Sequence, residues 1–125
     1  MWPYNQDIQP PAPFLNIAVC HPDNSEQMAQ IRAKIDTAAD ISAIPVILIT
    51  RLRLPITSKL IIEGYNGVSE IVFTYGAVIE VAQARFRTQI IVIPDDYALL
   101  GRDILNYFYM HLNGPDLTFN LGLTP

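Results

Sequence analysis

Residues 33–45 read AKIDTAADISAIP, a largely apolar stretch that contains two aspartates, Asp36 and Asp40. An ionised carboxylate is costly to bury unless it is paired or hydrogen-bonded, so acids in such a stretch need a reason. Asp36 either caps the turn that follows a strand or lies in a loop that presents a carboxylate at a site. Taken alone, the letters DTAAD favour the ordinary turn, because Asp and Thr commonly bond to nearby backbone amides.

The sequence on both sides of this stretch is strand-like. Runs rich in Ile, Val, Leu, Phe and Tyr are divided by Pro, Gly, Asn and Asp, which predicts a mostly β domain. These runs are FLNIAVC, AQIRAKI, ILITRLRL, KLIIEG, EIVFTYGAVIEVA and ARFRTQIIVI. In TRLRLP, Arg51 and Arg53 alternate with leucines, the period of two expected of a half-buried strand. The break at residues 82–84 predicts a hairpin.

The two ends of the chain have different patterns. In GRDILNYF, Ile104, Leu105 and Phe108 share one face at helical spacing, which predicts a short helix. The letters FYMHL, NGPD and LTFNL then predict a strand, a turn and a strand. Residues 1–13 hold four prolines and are predicted to be an arm, with the folded domain at 14–125. The arm could be a disordered tail, a strap on the domain or a partner, or a removable pro-segment.

Composition limits the possible functions. The 125 residues suffice for one domain, and the eight Lys and Arg are scattered against twelve Asp and Glu, so nucleic acid is not an expected partner. One cysteine, Cys20, precludes an internal disulfide framework. It adjoins His21, but neighbours on a strand point to opposite faces, so no metal site is predicted. The opening residues lack the features of a secretory leader and no run has bilayer length, so a cytoplasmic, membrane-free protein is expected.

Three separated segments together resemble the retropepsin-like aspartic proteases, in the compact single-motif form found in retroviruses and bacteria. The first is KIDTAADISAI, which is similar to the Asp-Thr-Gly-Ala motif of that family. The second, LIIEGYNGVSEIVF, has Gly64 and Gly67 on either side of Tyr65 and Asn66, where the family has a flap hairpin. The third, ALLGRDILNYF, matches the family pattern nearly letter for letter. The resemblance implies a closed retropepsin-like β-barrel with a flap hairpin and one short C-terminal helix.

The resemblance also implies a reaction. Such enzymes hydrolyse peptide bonds with a water held between two carboxyls that share a proton, and they form no covalent intermediate. This chain has one such motif, so a second copy must supply the other carboxyl, and a homodimer with two Asp36 residues on its axis is expected. The expected substrate is a peptide or protein, and no cofactor is expected.

The resemblance assigns further roles to residues around Asp36. Thr37 would bond across the dimer axis, although closing its own turn is the alternative. Asp40 would bind the substrate main chain and pair with Arg102, although both could be solvated charges. Leu99, Leu100 and Gly101 would support the catalytic loop. The residues expected to bind substrate are Ala39, Asp40, Gly64, Tyr65, Asn66 and Gly67, the last four of which could instead form a plain hairpin turn.

Ala38 departs from the family pattern, which has glycine after Asp-Thr. A negative φ would make the methyl group harmless, whereas a positive φ would cost about 1 kcal/mol or more. Two alternatives to a protease therefore stay open: an inactive retropepsin-like domain used for dimerisation or peptide binding, and a small β-barrel unrelated to proteases. Asp95 and Asp96 are expected to form a polar turn and not to act as a second catalytic acid.

Overall fold

The structure, a computed structural model, describes residues 1–64 and 66–125. Strands dominate this part of the chain. The strands are β1 Trp2–Asn5, β2 Ala12–Cys20, β3 Met28–Ile35, β4 Ala43–Pro45, β5 Ile56–Glu63, β6 Ser69–Val81, β7 Ala84–Ile93, β8 Ala98–Leu100, β9 Tyr109–Asn113 and β10 Thr118–Gly122, and the helices are α1 Val46–Leu52 and α2 Arg102–Leu105. The predicted mostly β class is confirmed.

The described strands form one sheet in the order β5-β6-β7-β4-β8-β3-β2-β1-β10-β9. An additional pairing joins β6 to β2, so the strands between them form a ring. Within the ring β4 and β8 have three residues each, and β3–β8 and β4–β7 are parallel pairs. The structure therefore has a ring of strands, two of them very short, in place of the closed barrel that the sequence predicted. Its core includes Val19, Ile44, Ile79, Ile90 and Leu100, each essentially inaccessible to water.

The strand predicted for ILITRLRL is wrong, because these residues form helix α1. The helix buries Leu48, Ile49 and Leu52, which recur at helical spacing against the core. It ends at Arg53, whose φ of 53° and ψ of 45° lie in the left-handed region. The Arg–Leu alternation misled the prediction, since it spans only the last helical turn and the residues after it.

The predicted hairpin at residues 82–84, the short helix and the C-terminal strand, turn and strand are present. Strands β6 and β7 form a hairpin in which Ala82 and Gln83, at φ 48° and 68°, make the two-residue turn. The short helix is α2, which buries Ile104 and Leu105. Strands β9 and β10 pair in antiparallel fashion around the predicted turn. The Asn113 side chain accepts a 3.1 Å hydrogen bond from the Asp116 amide and stabilises that turn.

The N-terminal segment contributes a strand to the fold. Strand β1, inside the predicted arm of residues 1–13, pairs with both β2 and β10. The Trp2 ring stacks on Phe119 at 5.5 Å between centroids, and Tyr4 contacts the same ring at 6.1 Å. These contacts pack the segment against the domain. The domain boundary at residue 13 and the choice between a strap and a removable pro-segment stay predictions. Among the residues that the structure describes, no helix is long and apolar enough to cross a membrane.

Candidate active site

The loop after β3 holds Asp36 by backbone hydrogen bonds on both sides. The Asp36 amide donates to the Leu100 carbonyl at 3.0 Å, and the Ala39 amide donates to the Asp36 carbonyl at 3.2 Å. The Asp36 carboxylate accepts a 3.1 Å bond from the Ala38 amide, so part of its charge is stabilised by its own loop. Asp36 is half-buried, while Thr37 and Ala38 are exposed. The carboxylate is therefore fixed at a surface that a second molecule can reach.

Arg102 links this loop to helix α2. Its guanidinium donates to the Thr37 carbonyl at 2.7 Å and to the Asp40 carboxylate, so the implied Asp40–Arg102 ion pair is present. The Asp40 side chain is 81% exposed in the single chain, and such a pair contributes under about 1 kcal/mol to stability. Asp40 thus has a fixed position with its carboxylate open to a ligand.

Gly101 lies directly under the loop. A Cβ at this position would be 2.8 Å from the Ala39 carbonyl oxygen and 3.0 Å from the Ile41 carbonyl carbon, both of them backbone atoms. The Arg102 amide donates to that same Ala39 oxygen at 2.9 Å. Gly101 has an extended backbone, φ −93° and ψ −176°, so it is needed here for space and not for a left-handed conformation.

A buried polar network joins the loop to α2 from the other side. Ser42, which is fully buried, donates from its amide to Asp103 at 2.9 Å and from its hydroxyl to the same carboxylate at 2.8 Å. The Gly101 amide donates to the Ser42 hydroxyl at 2.9 Å. Each buried polar group in this set therefore has a partner. The network fixes the end of the Asp36 loop against the strand that passes beneath it.

A mostly apolar groove of about 550 Å³ lies between the loop and strand β5. Its lining combines predicted site residues with residues that sequence reasoning missed. The predicted ones are Ala38, Ala39, Asp40 and Leu99, and the missed ones include Ile41, Ala43, Leu60, Ile62 and Ile91. Four consecutive residues of β5, Leu60, Ile61, Ile62 and Glu63, line the groove, so the strand period of two does not select them. Their place in the run that leads to the hairpin tip was the usable signal. Ser42 and Asp103 had no such signal, since 61 residues separate them in the chain.

The β5–β6 hairpin ends at the predicted substrate-binding tip. The Gly67 amide donates to the Gly64 carbonyl at 3.0 Å, and the Asn66 side chain accepts from the Val68 amide at 3.1 Å. Gly67 has φ +73°, which suits glycine. Gly64 and Asn66 line a small cavity of their own and are not brought to the groove. Tyr65, also predicted to bind substrate, lies outside the described residues.

The described residues of the site include carboxylates but no ready ligand set for a metal. Among residues 1–64 and 66–125, no three His, Cys, Asp or Glu side chains come together in a way that would hold an ion. The chemistry that this arrangement offers is that of one carboxylate beside a groove. Asp95 and Asp96 lie apart in the turn before β8, where Asp96 is 3.5 Å from Arg32.

Known structures define the class of fold. The chain has a retropepsin-like fold, because retroviral proteases superpose on about three quarters of it. The Simian Foamy Virus protease matches at a TM-score of 0.58 and 16% identity, over 76% of this chain and 93% of that one. The EIAV protease, in complex with an inhibitor, matches at 0.56 and 22% identity, over 76% and 86%. A foamy viral protease-reverse transcriptase matches at 0.57 and 14% identity, over 77% of this chain and 12% of that one. By sequence alone, neither a protein-family model nor a curated protein matches the chain.

Proposed function

We propose that this chain is an aspartic endopeptidase that acts as a homodimer, with one Asp36 from each copy at the site. The observation that carries the proposal is the groove of about 550 Å³ beside the Asp36 loop, in a fold shared with retroviral proteases. A groove between a loop and a strand suits an extended peptide, since backbone bonds supply affinity and alternate side chains enter pockets. The β5–β6 hairpin would close over that peptide as a flap.

The reaction needs two Asp36 carboxyls in contact. Two like charges about 3 Å apart cannot both ionise cheaply, so the pair would hold one proton between them. The ionised carboxyl would take a proton from the bound water as its oxygen attacks the peptide carbonyl carbon. The protonated carboxyl would hydrogen-bond to the carbonyl oxygen and stabilise the tetrahedral species. As that species collapses, the C–N bond breaks and the leaving nitrogen takes the proton that the first carboxyl received from the water, which restores the pair. Thr37, Ala38 and Arg102 would keep the two loops in position.

The edge of strand β9 is the surface through which we propose that two copies pair. Among the described strands β9 pairs only with β10, so its other edge is open. Tyr109 and Leu112 of β9 are exposed, at 58% and 45%. Residues 104–115 contain no Asp, Glu, Lys or Arg, although charges normally protect such edges. Because each copy carries a net charge of −4, an uncharged edge is where two copies meet with least repulsion.

The test is cleavage of an unstructured peptide by wild type and by Asp36→Asn at acidic to mildly acidic pH. We expect wild type to cut the peptide and Asp36→Asn to lose activity by a factor of about 1000 or more, because a neutral amide cannot act as the base. Circular dichroism and sedimentation should show the same fold and dimer for both proteins.

Three results would contradict the proposal. Equal inertness of two folded, dimeric proteins would leave peptide binding without turnover, the function of an inactive retropepsin-like domain. Cleavage that survives in Asp36→Asn would place the chemistry on other residues. A monomeric wild type that still cuts the peptide would exclude the shared site.

A further inference from the structure

A second, larger cavity of about 700 Å³ adjoins the groove beside the Asp36 loop. Ile41 and Leu60 line both spaces, so the two are neighbours on either side of this pair of side chains. The far part of the second cavity is bounded by the turn after β2, the base of the β5–β6 hairpin and strand β7. Its walls there include Pro22, Pro55, Thr57, Gly76, Arg87 and Gln89.

Gly76 shows that the cavity is built into the fold. It lies inside strand β6, where glycine costs stability, and its φ lies outside the positive range that would require glycine. A Cβ at this position would be 3.2 Å from Thr57 Cγ2 and 3.7 Å from Cγ of both Pro22 and Pro55. All three neighbours line the cavity. The missing side chain therefore keeps the floor open.

The polar wall is a cluster of hydrogen-bonded side chains. The Thr57 and Ser58 hydroxyls lie 2.8 and 2.7 Å from that of the buried Thr74, and Ser58 and Thr74 both lie within hydrogen-bonding distance of the Gln89 amide oxygen. Either hydroxyl of the Thr57–Thr74 pair can be the donor, and in both cases the Thr57 oxygen keeps a lone pair that can accept. The Gln89 amide nitrogen, which bonds to none of the described residues, is left as a donor. A donor and an acceptor side by side match the two ends of a primary amide.

The charges of the cavity disfavour an acidic occupant. Asp23, Arg87 and Asp103 line it, which gives one positive and two negative groups. The Arg87 guanidinium already donates to the Pro22 carbonyl at 2.8 Å, and the Asp103 carboxylate is bonded to Ser42. An uncharged side chain that can both donate and accept therefore suits the walls better than a carboxylate does.

We propose that this cavity is a distal specificity subsite that receives a glutamine or asparagine side chain of the peptide substrate. This inference rests on the proposed function for its cleavage readout. In an extended peptide, side chains on the same face are two residues apart, about 7 Å. If one side chain of the substrate lies in the groove, the side chain that lies beyond Ile41 and Leu60 belongs to a residue at least two positions further from the scissile bond.

The experiment compares cleavage of peptides that carry Gln, Ala or Glu at each position in turn, with relative kcat/KM measured by mass spectrometry. For wild type we expect one distal position at which Gln exceeds Ala and Glu by about tenfold or more. Gly76→Val fills the floor and should reduce that ratio to about one, with preferences next to the scissile bond unchanged. Thr57→Val keeps the volume but removes the acceptor, and should lower the ratio as well. Thr124→Val, at an exposed threonine that lines neither the groove nor this cavity, is the control.

A binding measurement separates this subsite from the catalytic proposal. Isotope-labelled Asp36→Asn is titrated with the Gln peptide, and we expect shifts of the Gly76 and Thr57 amide signals that are absent with the Ala peptide. If wild type cuts nothing but these shifts occur, the proposed catalysis fails and the subsite stands. If the shifts are absent, or if Gly76→Val keeps the Gln preference, the subsite is refuted.

Discussion

At the scale of single residues, Ala38 fits where the family pattern has glycine. Among the described residues, positive φ values occur at Arg53, Ala82, Gln83 and Leu117 outside glycine, and Ala38 is not one of them. Its methyl group therefore carries no left-handed strain, and it is exposed. Backbone conformation therefore gives no reason to expect that Ala38 lowers activity.

At Gly101 we expect the addition of a single methyl group to lower both stability and activity. In Gly101→Ala, the new methyl group would press on the backbone of Ala39 and Ile41, so the Asp36 loop must move. We expect a loss of stability of about 1–3 kcal/mol, as for overpacking in a core, and a larger loss of peptide cleavage than of stability alone. Urea unfolding and kcat/KM measure the two effects.

Gly114→Ala is the matched control for this change, because space is open around that glycine. It should alter stability by less than about 0.5 kcal/mol. If Gly101→Ala is as stable and active as this control, the close approach of strand and loop is not a constraint.

Cys20 provides a prediction about pH. Burial, and after it the Glu80 carboxylate, raise the pKa of the Cys20 thiol, which is 1% exposed. The pKa of this thiol is higher in the folded protein than in the unfolded one. Its contribution to the free energy of unfolding is therefore complete below about pH 8.5 and is lost as the pH rises further. Native protein should react with iodoacetamide at least about tenfold more slowly than urea-unfolded protein. Equal rates would show that the thiol is accessible.

The Cys20→Ser variant tests the linkage itself. If the thiol causes part of the alkaline loss, the free energy of unfolding should fall less steeply above pH 8.5 in this variant than in wild type. Parallel curves would assign the alkaline loss to other groups.

At the scale of elements, α1 shows where local patterns mislead. Its residues VILITRL are rich in β-branched types, which favour strands, and the arginines beyond Thr50 alternate with leucines. The burial of Leu48, Ile49 and Leu52 against the core outweighs that preference. Pro45 before the helix and Pro55 after it were signals of its limits. By contrast, the β6–β7 hairpin and α2 could be predicted, because the polar break between the two strands and the helical spacing of the apolar residues in α2 are local features.

At the end of α1, we expect glycine substitutions at two arginines to change stability in opposite directions. Arg53 is in the left-handed conformation, so Arg53→Gly removes strain and should raise stability by about 0.5–1 kcal/mol. Arg51 lies inside the helix and is exposed, so Arg51→Gly should lower stability by about 1 kcal/mol. Thermal unfolding of both variants measures the difference. A loss of stability in both would mean that Arg53 makes contacts that outweigh its conformational cost.

At the scale of the whole molecule, what the sequence could predict depended on distance along the chain. The Asp36 loop, the tip glycines and the GRD segment are short motifs, and each could be placed by inspection. The groove could be placed only in part, because Ile91 and Leu60 reach it through strand order. The Ser42–Asp103 network depends on the packing of two segments far apart in sequence, which no local pattern encodes.

The β9 edge gives the last prediction, which concerns assembly. If two copies pair through this edge, Leu112→Lys places like charges close together across the two-fold axis and disfavours the pairing. We expect the dimer dissociation constant to rise by about tenfold or more, and specific activity to fall as the variant is diluted. Ile47→Lys is the matched control, because Ile47 is an exposed apolar residue of α1, at 61%, remote in sequence from β9. Sedimentation should show wild type and Ile47→Lys as dimers at a concentration where Leu112→Lys is monomeric. A Leu112→Lys protein as dimeric and as active as the control would move the interface to another surface while leaving the need for two Asp36 carboxyls in place.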